Sequence, residues 1–186
     1  MTVKDIMTDV ARIVESDGLA SAIDAGTESG NAEYAKKSAL ILKCYNAVLR
    51  TVGFDYEPLV KKMAVSGGRA DYSDLPYVPL KVLAAYAADG TERPFTERAS
   101  FVTFPADAAF IEAKCVAKDA AKSTAFEYEN SRTGKFAFIY GTCAEYCLIN
   151  GRYDEAANFD SRFRVEAERS TAGKSRRIKA RRDWGL

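Results

Sequence analysis

The stretch FAFIYGTCAEYCLINGRYDEAANFDSRFRVEAERS, residues 136–170, contains the clearest structural pattern in the chain. In its first half, apolar residues recur at helical spacing and predict one broad buried face: Phe136, Ile139, Tyr140, Cys143, Tyr146, Cys147 and Ile149. Asn150-Gly151 predicts the end of this helix. A second helix then runs from Tyr153 to about Ser170 with a looser apolar stripe: Ala156, Phe159, Phe163, Val165 and Ala167. Because the connecting loop is short, we expect the two helices to pack antiparallel.

A further helix is predicted at the start of the chain. Thr2 followed by Asp5 is typical of a helix N-terminus, since a Thr hydroxyl can cap free amides and an early acid favours the helix dipole. The pattern fades near Asp17-Gly18 or, after one more short turn, near Gly26. Between these signals lies one apolar stripe: Val3, Ile6, Met7, Val10, Ile13 and Val14.

Asn31 is a candidate cap for the next helix, over residues 32–52, which ends at Gly53. The middle of this helix, residues 39–49, is apolar on most faces and predicts a buried central helix. Residues 55–117 instead predict a small inserted antiparallel sheet. Residues 59–65 and the Gly-Gly turn within residues 66–73 are typical of a hairpin, and further strand candidates cover residues 79–87, 99–107 and 109–117.

Together these patterns predict an α+β fold that is mainly α. N-terminal and C-terminal helix pairs form a bundle, with the antiparallel β-sheet inserted between them and a basic C-terminal arm after them. The predicted segments are residues 1–54 and 118–170 for the helices, 55–117 for the β region and 171–186 for the arm.

Charge is segregated along the chain. Residues 169–186 carry a net charge of +6, while the first 168 residues carry a net charge of −5. This division predicts that body and arm bind different partners, or that the arm of one copy binds the body of the next. Ile178 and Trp184 give the arm apolar anchors suited to an acidic groove, and a solvated, disordered segment is the alternative.

The chain has no histidine, which excludes Ser-His and Cys-His nucleophile pairs and imidazole metal sites. Cys143 and Cys147 lie one helical turn apart, and we expect them in the core because a zinc site needs four ligands. The acids Asp154, Glu155 and Asp160 suit a helix start. We therefore expect no catalytic residue, cofactor or metal, and we expect reduced cytosolic thiols. No apolar run approaches the roughly 18 residues of a membrane span.

The order of elements resembles the head–tail connector, or adaptor, proteins of tailed bacteriophages, relatives of the podovirus tail accessory and gatekeeper proteins. The N-terminal MTVKDIMTDVARIV and the turn-rich SGGRADYSDLPYVPLKVLAAYAADGTERPF carry part of this resemblance. YGTCAEYCLINGRYDEAANFDSRF, residues 140–163, is similar to the paired C-terminal helices of the family, and the arm ending in RRDWGL resembles its C-terminal extensions. The resemblance covers nearly the whole chain as a pattern of elements, and it includes no diagnostic catalytic motif.

The resemblance implies a structural virion protein, a ring of roughly twelve copies that docks below the portal and joins capsid to tail. Genomic DNA passes through its channel without specific binding, and an acidic lumen lets DNA slide. Residues 66–73 are candidates for contact with the next tail component. We expect assembly in the host cytoplasm and no membrane partner. The resemblance assigns portal contact to the arm: Arg176, Arg177, Lys179, Arg181, Arg182 and Trp184.

Two other classes of function stay open. One is a cytosolic nucleic-acid-binding protein that uses the basic arm, for which six phosphate contacts predict a slope of about −5 in log K against log salt. The net negative charge of the first 168 residues repels DNA, which argues against nucleic-acid binding as the main function. The other is a small enzyme using Tyr or carboxylate chemistry, which a deep pocket with paired acids would support.

Overall fold

The computed structural model describes residues 1–175, and the side chains of residues 1–169. Its contacts divide the chain into two units. The helical unit comprises Met1–Val48 and the chain from Ala121 onward, and the sheet unit comprises Leu49–Ala120. Helices and antiparallel strands occupy separate stretches of sequence, so the predicted α+β class is confirmed.

Residues 1–175 form five α-helices: α1 (Val3–Val14), α2 (Asp17–Ala25), α3 (Ala32–Thr51), α4 (Gly134–Ile149) and α5 (Tyr153–Ser175). A 3₁₀ turn, Glu28–Gly30, precedes α3, and a π-helical turn, Val52–Tyr56, follows it. The helix α2 is longer than the short turn predicted there. Ser16 Oγ accepts a hydrogen bond from the Leu19 amide at 3.3 Å, and Gly26 ends the helix with a φ of 70°.

The N-terminus of α1 begins at the predicted residues, Thr2 and Asp5, and groups from a distant segment of the chain add to it. The Asp5 carboxylate accepts a hydrogen bond from the Thr2 amide at 2.7 Å, but no amide donates to the Thr2 hydroxyl among the described residues. The Val3 amide donates to the Thr124 carbonyl and the Lys4 amide donates to the Lys122 carbonyl, both at 3.0 Å. A segment distant in sequence thus satisfies amides that a helix start leaves unpaired.

The helix α3 begins as predicted, because Asn31 Oδ1 accepts a hydrogen bond from the Glu33 amide at 2.9 Å. Over residues 39–49, predicted as a buried central helix, most side chains are buried or half-buried. Its buried side chains follow one face: Ser38, Ile41, Cys44, Tyr45, Val48 and Leu49. Ala39 and Ala47 lie outside that face and are exposed.

The helix α4 is instead buried around most of its circumference. Its buried residues are Ala137, Phe138, Ile139, Gly141, Thr142, Cys143, Ala144, Tyr146 and Cys147. It packs against α1 and α5, and Gly151, with a φ of 74°, lies in the loop before α5. Three residues predicted on the apolar faces are exposed in the structure: Phe136, Ile149 and Val165.

The core of the helical unit is aromatic. The Phe138 ring lies 4.9 Å from the rings of Phe126 and Tyr128, and 5.9 Å from that of Tyr45, between centroids. All four side chains are buried. Edge-to-face and tilted contacts of this kind add to the stabilisation that burial of each ring provides.

Within Leu49–Ala120, seven strands form two antiparallel sheets where the sequence predicts one. The first sheet has the order β1-β7-β3-β4, and the second has the order β2-β6-β5. Their bounds are β1 (Leu59–Ala64), β2 (Arg69–Asp71), β3 (Tyr77–Ala87), β4 (Glu92–Arg93), β5 (Thr96–Glu97), β6 (Phe101–Thr103) and β7 (Ala108–Ala117).

The hairpin predicted around residues 66–73 is wrong, because β1 pairs with β7 while β2 pairs with β6. Gly67 and Gly68 have φ values of 75° and 77°, and the Phe104 amide donates to the Gly68 carbonyl at 3.0 Å. The two glycines therefore take the chain from one sheet into the other. A local Gly-Gly signal does not distinguish this turn from a tight hairpin, since both need positive φ.

Candidate functional site

The residues that the resemblance assigns to portal contact lie outside the described part of the chain: Arg176, Arg177, Lys179, Arg181, Arg182 and Trp184. Four other features of the described residues are candidates for a functional site. The helical unit has a groove, an aromatic stripe and a polar cluster, and the sheet unit has a basic sheet face.

The groove lies between the end of α4 and the start of α5, and we call it the α4–α5 groove. It has a volume of about 270 Å³ and is lined by Ala144, Glu145, Leu148, Tyr153, Ala156, Ala157 and Asp160. Leu148 is 51% exposed and Tyr153 is 68% exposed. Large apolar side chains gathered around one depression are typical of a binding surface.

Acidic side chains flank the α4–α5 groove. Asp160 accepts a hydrogen bond from Arg164 Nε at 2.9 Å. Glu145 has no hydrogen bond or ion pair to any of residues 1–169, so its charge is available to a partner. Asp154 and Glu155, in the first turn of α5, add negative charge at this end of the unit and suit the helix dipole as predicted.

An aromatic stripe runs across the outside of α4 and α5. The Phe136 and Tyr140 rings stack with centroids 6.2 Å apart, and Tyr140 and Phe159 stack at 6.5 Å. Lys135 Nζ lies 5.4 Å from the Phe136 centroid, and the Arg162 guanidinium lies 5.7 Å from that of Tyr140. Cations of the same unit therefore lie against two of the three rings, although Phe136 stays 52% exposed.

A polar cluster around Glu15 joins three helices and the loop before α5. Glu15 Oε1 accepts a hydrogen bond from the Tyr146 hydroxyl at 2.7 Å, and its Oε2 accepts one from Lys37 Nζ at 2.7 Å. Arg152 Nη1 donates to the neighbouring Val14 carbonyl at 2.7 Å. The C-terminal end of α1 is thereby tied to α3, to α4 and to the loop before α5.

The charges in this cluster are fixed at neutral pH. Burial raises the pKa of Glu15, but hydrogen bonds from Lys37 and Tyr146 outweigh it, so the net pKa is lowered. The hydrogen bond to Glu15 raises the pKa of Lys37, and burial together with that carboxylate raises the pKa of Tyr146. Each group is moved away from neutrality, so the cluster is suited to holding helices together and poorly suited to proton transfer near pH 7.

The four thiols are buried, as predicted for Cys143 and Cys147. Burial raises the pKa of Cys44 and of Cys115 to about 11, and that of Cys143 to about 12. These thiols therefore pack as small protonated hydrophobes. Among residues 1–175, no group of three or more Cys, Asp or Glu side chains is placed to hold a metal ion.

The first sheet of the sheet unit has a core face and an outer face. The core face contacts the second sheet through residues such as Met63, Val82 and Ile111. Lys62 Nζ lies 4.5 Å from the Phe110 ring and 5.4 Å from the Tyr86 ring. The strand register places a mixed basic and aromatic set on the outer face: Val60, Lys62, Lys81, Tyr86, Phe110, Glu112 and Lys114.

Within residues 1–175, no helix is both long and apolar enough to cross a membrane. No protein-family model matches the chain, and no curated protein is significantly similar to it. The resemblance to phage connectors stays a prediction.

The sequence pattern does not reveal the α4–α5 groove. Leu148 falls outside the predicted apolar face, and Ile149, predicted within that face, is 59% exposed. One signal in the sequence nevertheless indicates this exposed surface. Apolar residues flank Asn150-Gly151 closely on both sides, including Tyr153, at a surface turn where polar residues are the rule.

Proposed function

We propose that this chain is a structural subunit of a bacteriophage head–tail connector, a ring that docks below the portal and joins capsid to tail around a DNA channel. In this role the N-terminal and C-terminal helices form the bundle of each subunit, and the sheet unit is an insertion. The basic arm contacts the portal. The proposal gives the chain no catalytic residue, cofactor or metal.

The observation that carries the proposal is the exposed apolar surface where α4 meets α5. Leu148, Ile149 and Tyr153, which lie within six residues of one another along the chain, are each more than half exposed. A subunit of an assembly exposes such side chains because a neighbour covers them. This exposure supports a role as a subunit of an assembly. The sequence resemblance indicates which assembly, the head–tail connector.

Charge supports the same role. The first 168 residues carry a net −5 and the remaining 18 carry a net +6. In a ring whose subunits contact one another head to tail, different surfaces of the same chain meet, so opposite charges on one chain can be complementary. Opposite charges in the two regions also limit repulsion among many copies.

Co-sedimentation with the portal protein encoded in the same genome tests the proposal. We expect saturable binding near one copy per portal subunit, and we expect its loss when the chain is ended at Ser175. A double variant, Arg181→Glu with Arg182→Glu, should also lose binding because it reverses charge within the arm. The matched control, Lys36→Glu with Lys43→Glu, makes the same change in net charge at exposed positions of α3 and should bind normally. Failure of the full-length chain to bind contradicts the proposal.

A nucleic-acid-binding role is the second candidate, favoured by the lysines on the outer face of the first sheet together with the arm. Lys62, Lys81 and Lys114 are all exposed there, beside the partly exposed rings of Tyr86 and Phe110. DNA affinity measured against salt concentration tests it. A log–log slope of about −5 that is lost on removing residues 169–186 supports this role, and a flat dependence contradicts it.

A further inference from the structure

The α4–α5 groove has the size and the lining to bind one large apolar side chain. Small residues, Ala144, Ala156 and Ala157, leave the space, and Leu148 and Tyr153 border it. Its volume of about 270 Å³ lies just below the range of roughly 300–1,000 Å³ typical of small-molecule pockets. A side chain of a peptide fits this size better than a cofactor does.

The negative charge around the groove favours the binding of a basic peptide. Glu145 and Asp160 line it, and Glu145 has no ion pair to the described residues. The same chain contains such a peptide in residues 176–186, RRIKARRDWGL, which has five Lys/Arg and one acid. It also contains Trp184, the only tryptophan in the sequence. Tryptophan in an apolar pocket with arginine at the rim is a frequent arrangement at protein interfaces.

We propose that the α4–α5 groove binds residues 176–186 of a second copy of this chain. Trp184 occupies the space over the groove alanines, and basic side chains of the same segment lie against Glu145 and Asp160. Burial of the indole supplies most of the affinity, because exposed ion pairs contribute little. The charges set the orientation and the rate of association.

The length of the C-terminal segment favours binding to the groove of a second copy over binding to the groove of its own chain. Helix α5 rises about 1.5 Å per residue, so Ser175 lies about 28 Å along the axis from Ala156 in the groove. Trp184 follows nine residues after Ser175 and extends at most about 32 Å from it. The segment would have to reverse direction and then stay almost fully extended to reach its own groove. A second copy meets no such constraint.

The inference needs only two copies of this chain and does not depend on the portal. In a connector ring it gives the arm a second binding site. A subunit whose arm lies in a neighbouring groove cannot present Trp184 and the nearby arginines to the portal. Binding to the neighbour and binding to the portal therefore compete for the same segment.

Tryptophan fluorescence of the full-length chain tests the inference, because Trp184 is the only indole. Its emission should move to shorter wavelength as protein concentration rises, together with self-association in sedimentation velocity. Leu148→Glu, which places a charge beside the groove alanines, should abolish both changes. Glu145→Lys should raise the concentration of half-maximal shift by about fivefold or more, since it replaces an attraction by a repulsion. Val165→Glu is the matched control, an exposed apolar position of α5 outside the groove, and should behave as the wild type.

Mixing two variants identifies which copy supplies the segment. Trp184→Ala keeps the groove but has no indole emission, whereas Leu148→Glu keeps the indole but has a blocked groove. The emission of Leu148→Glu should move to shorter wavelength when Trp184→Ala is added. A wild-type shift that is independent of concentration and lost in Leu148→Glu indicates occupancy by the same chain and overturns the inference. An emission unaffected by both groove variants also overturns it, and neither result bears on portal binding.

Discussion

The helical unit and the sheet unit bury different kinds of side chain. The helical core centres on the Phe138 ring and the three rings that pack against it: Tyr45, Phe126 and Tyr128. The first sheet buries small and aliphatic residues on its core face: Met63, Val82, Ala85, Ile111, Ala113 and Cys115. Truncating a large buried ring removes more apolar contact and leaves a larger cavity than truncating a small or aliphatic side chain does. Single truncations should therefore matter most in the helical unit.

The two units also differ in buried polarity. Among residues 1–169, all buried polar or charged side chains belong to the helical unit: Thr8, Glu28, Ser38, Thr133 and Thr142. Oxygen atoms of Glu28, Ser38 and Thr142 lack a hydrogen-bond partner there. A buried polar atom without a partner lowers stability, so the helical unit contains both the strongest packing and avoidable losses.

The largest effect should come from Phe138→Ala. Removing a fully buried ring from the aromatic core should lower the free energy of unfolding by about 3–5 kcal/mol. Phe136→Ala, two residues earlier in α4 at a position 52% exposed, should cost less than about 1 kcal/mol. Urea denaturation of both variants measures the difference. Equal losses would contradict the view that ring packing stabilises this unit.

Gly141→Ala should have the next largest effect. An added Cβ would lie 2.9 Å from Val48 Cγ1 and 3.0 Å from Phe163 Cδ2, so neighbouring side chains must move. We expect a loss of about 1–3 kcal/mol, reduced by the better helix propensity of alanine. The thermal midpoints of Gly141→Ala and of Gly30→Ala measure it, since Gly30 has open space around its Cα. A Gly141→Ala protein as stable as the Gly30→Ala control would show that α4 and α5 have room between them.

Thr142→Val should raise stability, in contrast to the two changes above. Thr142 is fully buried and its hydroxyl has no partner among the described residues. Replacing the hydroxyl by a methyl group removes the cost of the unpaired oxygen, and we expect a gain of about 1 kcal/mol. Urea denaturation measures the gain, with Thr91→Val at an exposed turn as the control. A loss of stability would indicate that the hydroxyl is hydrogen-bonded.

The smallest predicted effect is a pH dependence in the helical unit. Burial raises the pKa of Glu28, but the hydrogen bond and charge of Lys122 outweigh it, so the pKa falls below its usual value of 4.5. The stabilisation is therefore present above pH 4.5 and is lost as pH falls through the lower pKa of the folded state. Glu28→Gln should weaken that acid dependence in urea denaturation between pH 6 and pH 3. An unchanged dependence would contradict the role of this pair.

The helices are predictable because their signals are local. Asn31 and Gly151 mark a helix start and a helix end in the sequence, and both act so in the structure. The strands are also found, but not their partners. The pairing of β1 with β7, and the use of Gly67 and Gly68 to change sheets, depend on contacts between distant residues that no local pattern contains.

Burial around a helix is the other feature that local sequence does not determine. Residues 39–49 are apolar on most faces, yet Ala47 is exposed, whereas α4 is buried around most of its circumference. Helical periodicity gives the spacing of apolar residues but not the number of neighbours that cover them. The α4–α5 groove is missed for the same reason, because Leu148 stays uncovered within an apolar stretch.

The carbonyls of Lys122 and Thr124 that complete the start of α1 have a consequence for protein synthesis. The ribosome makes α1 first, and these carbonyls follow only after the whole sheet unit has been translated. At roughly 5–20 residues per second, the delay is on the order of ten seconds. During that time the residues of α1 lack the carbonyl groups that complete its first turn. Codon usage across residues 49–120 should therefore influence how much of the protein reaches its native state.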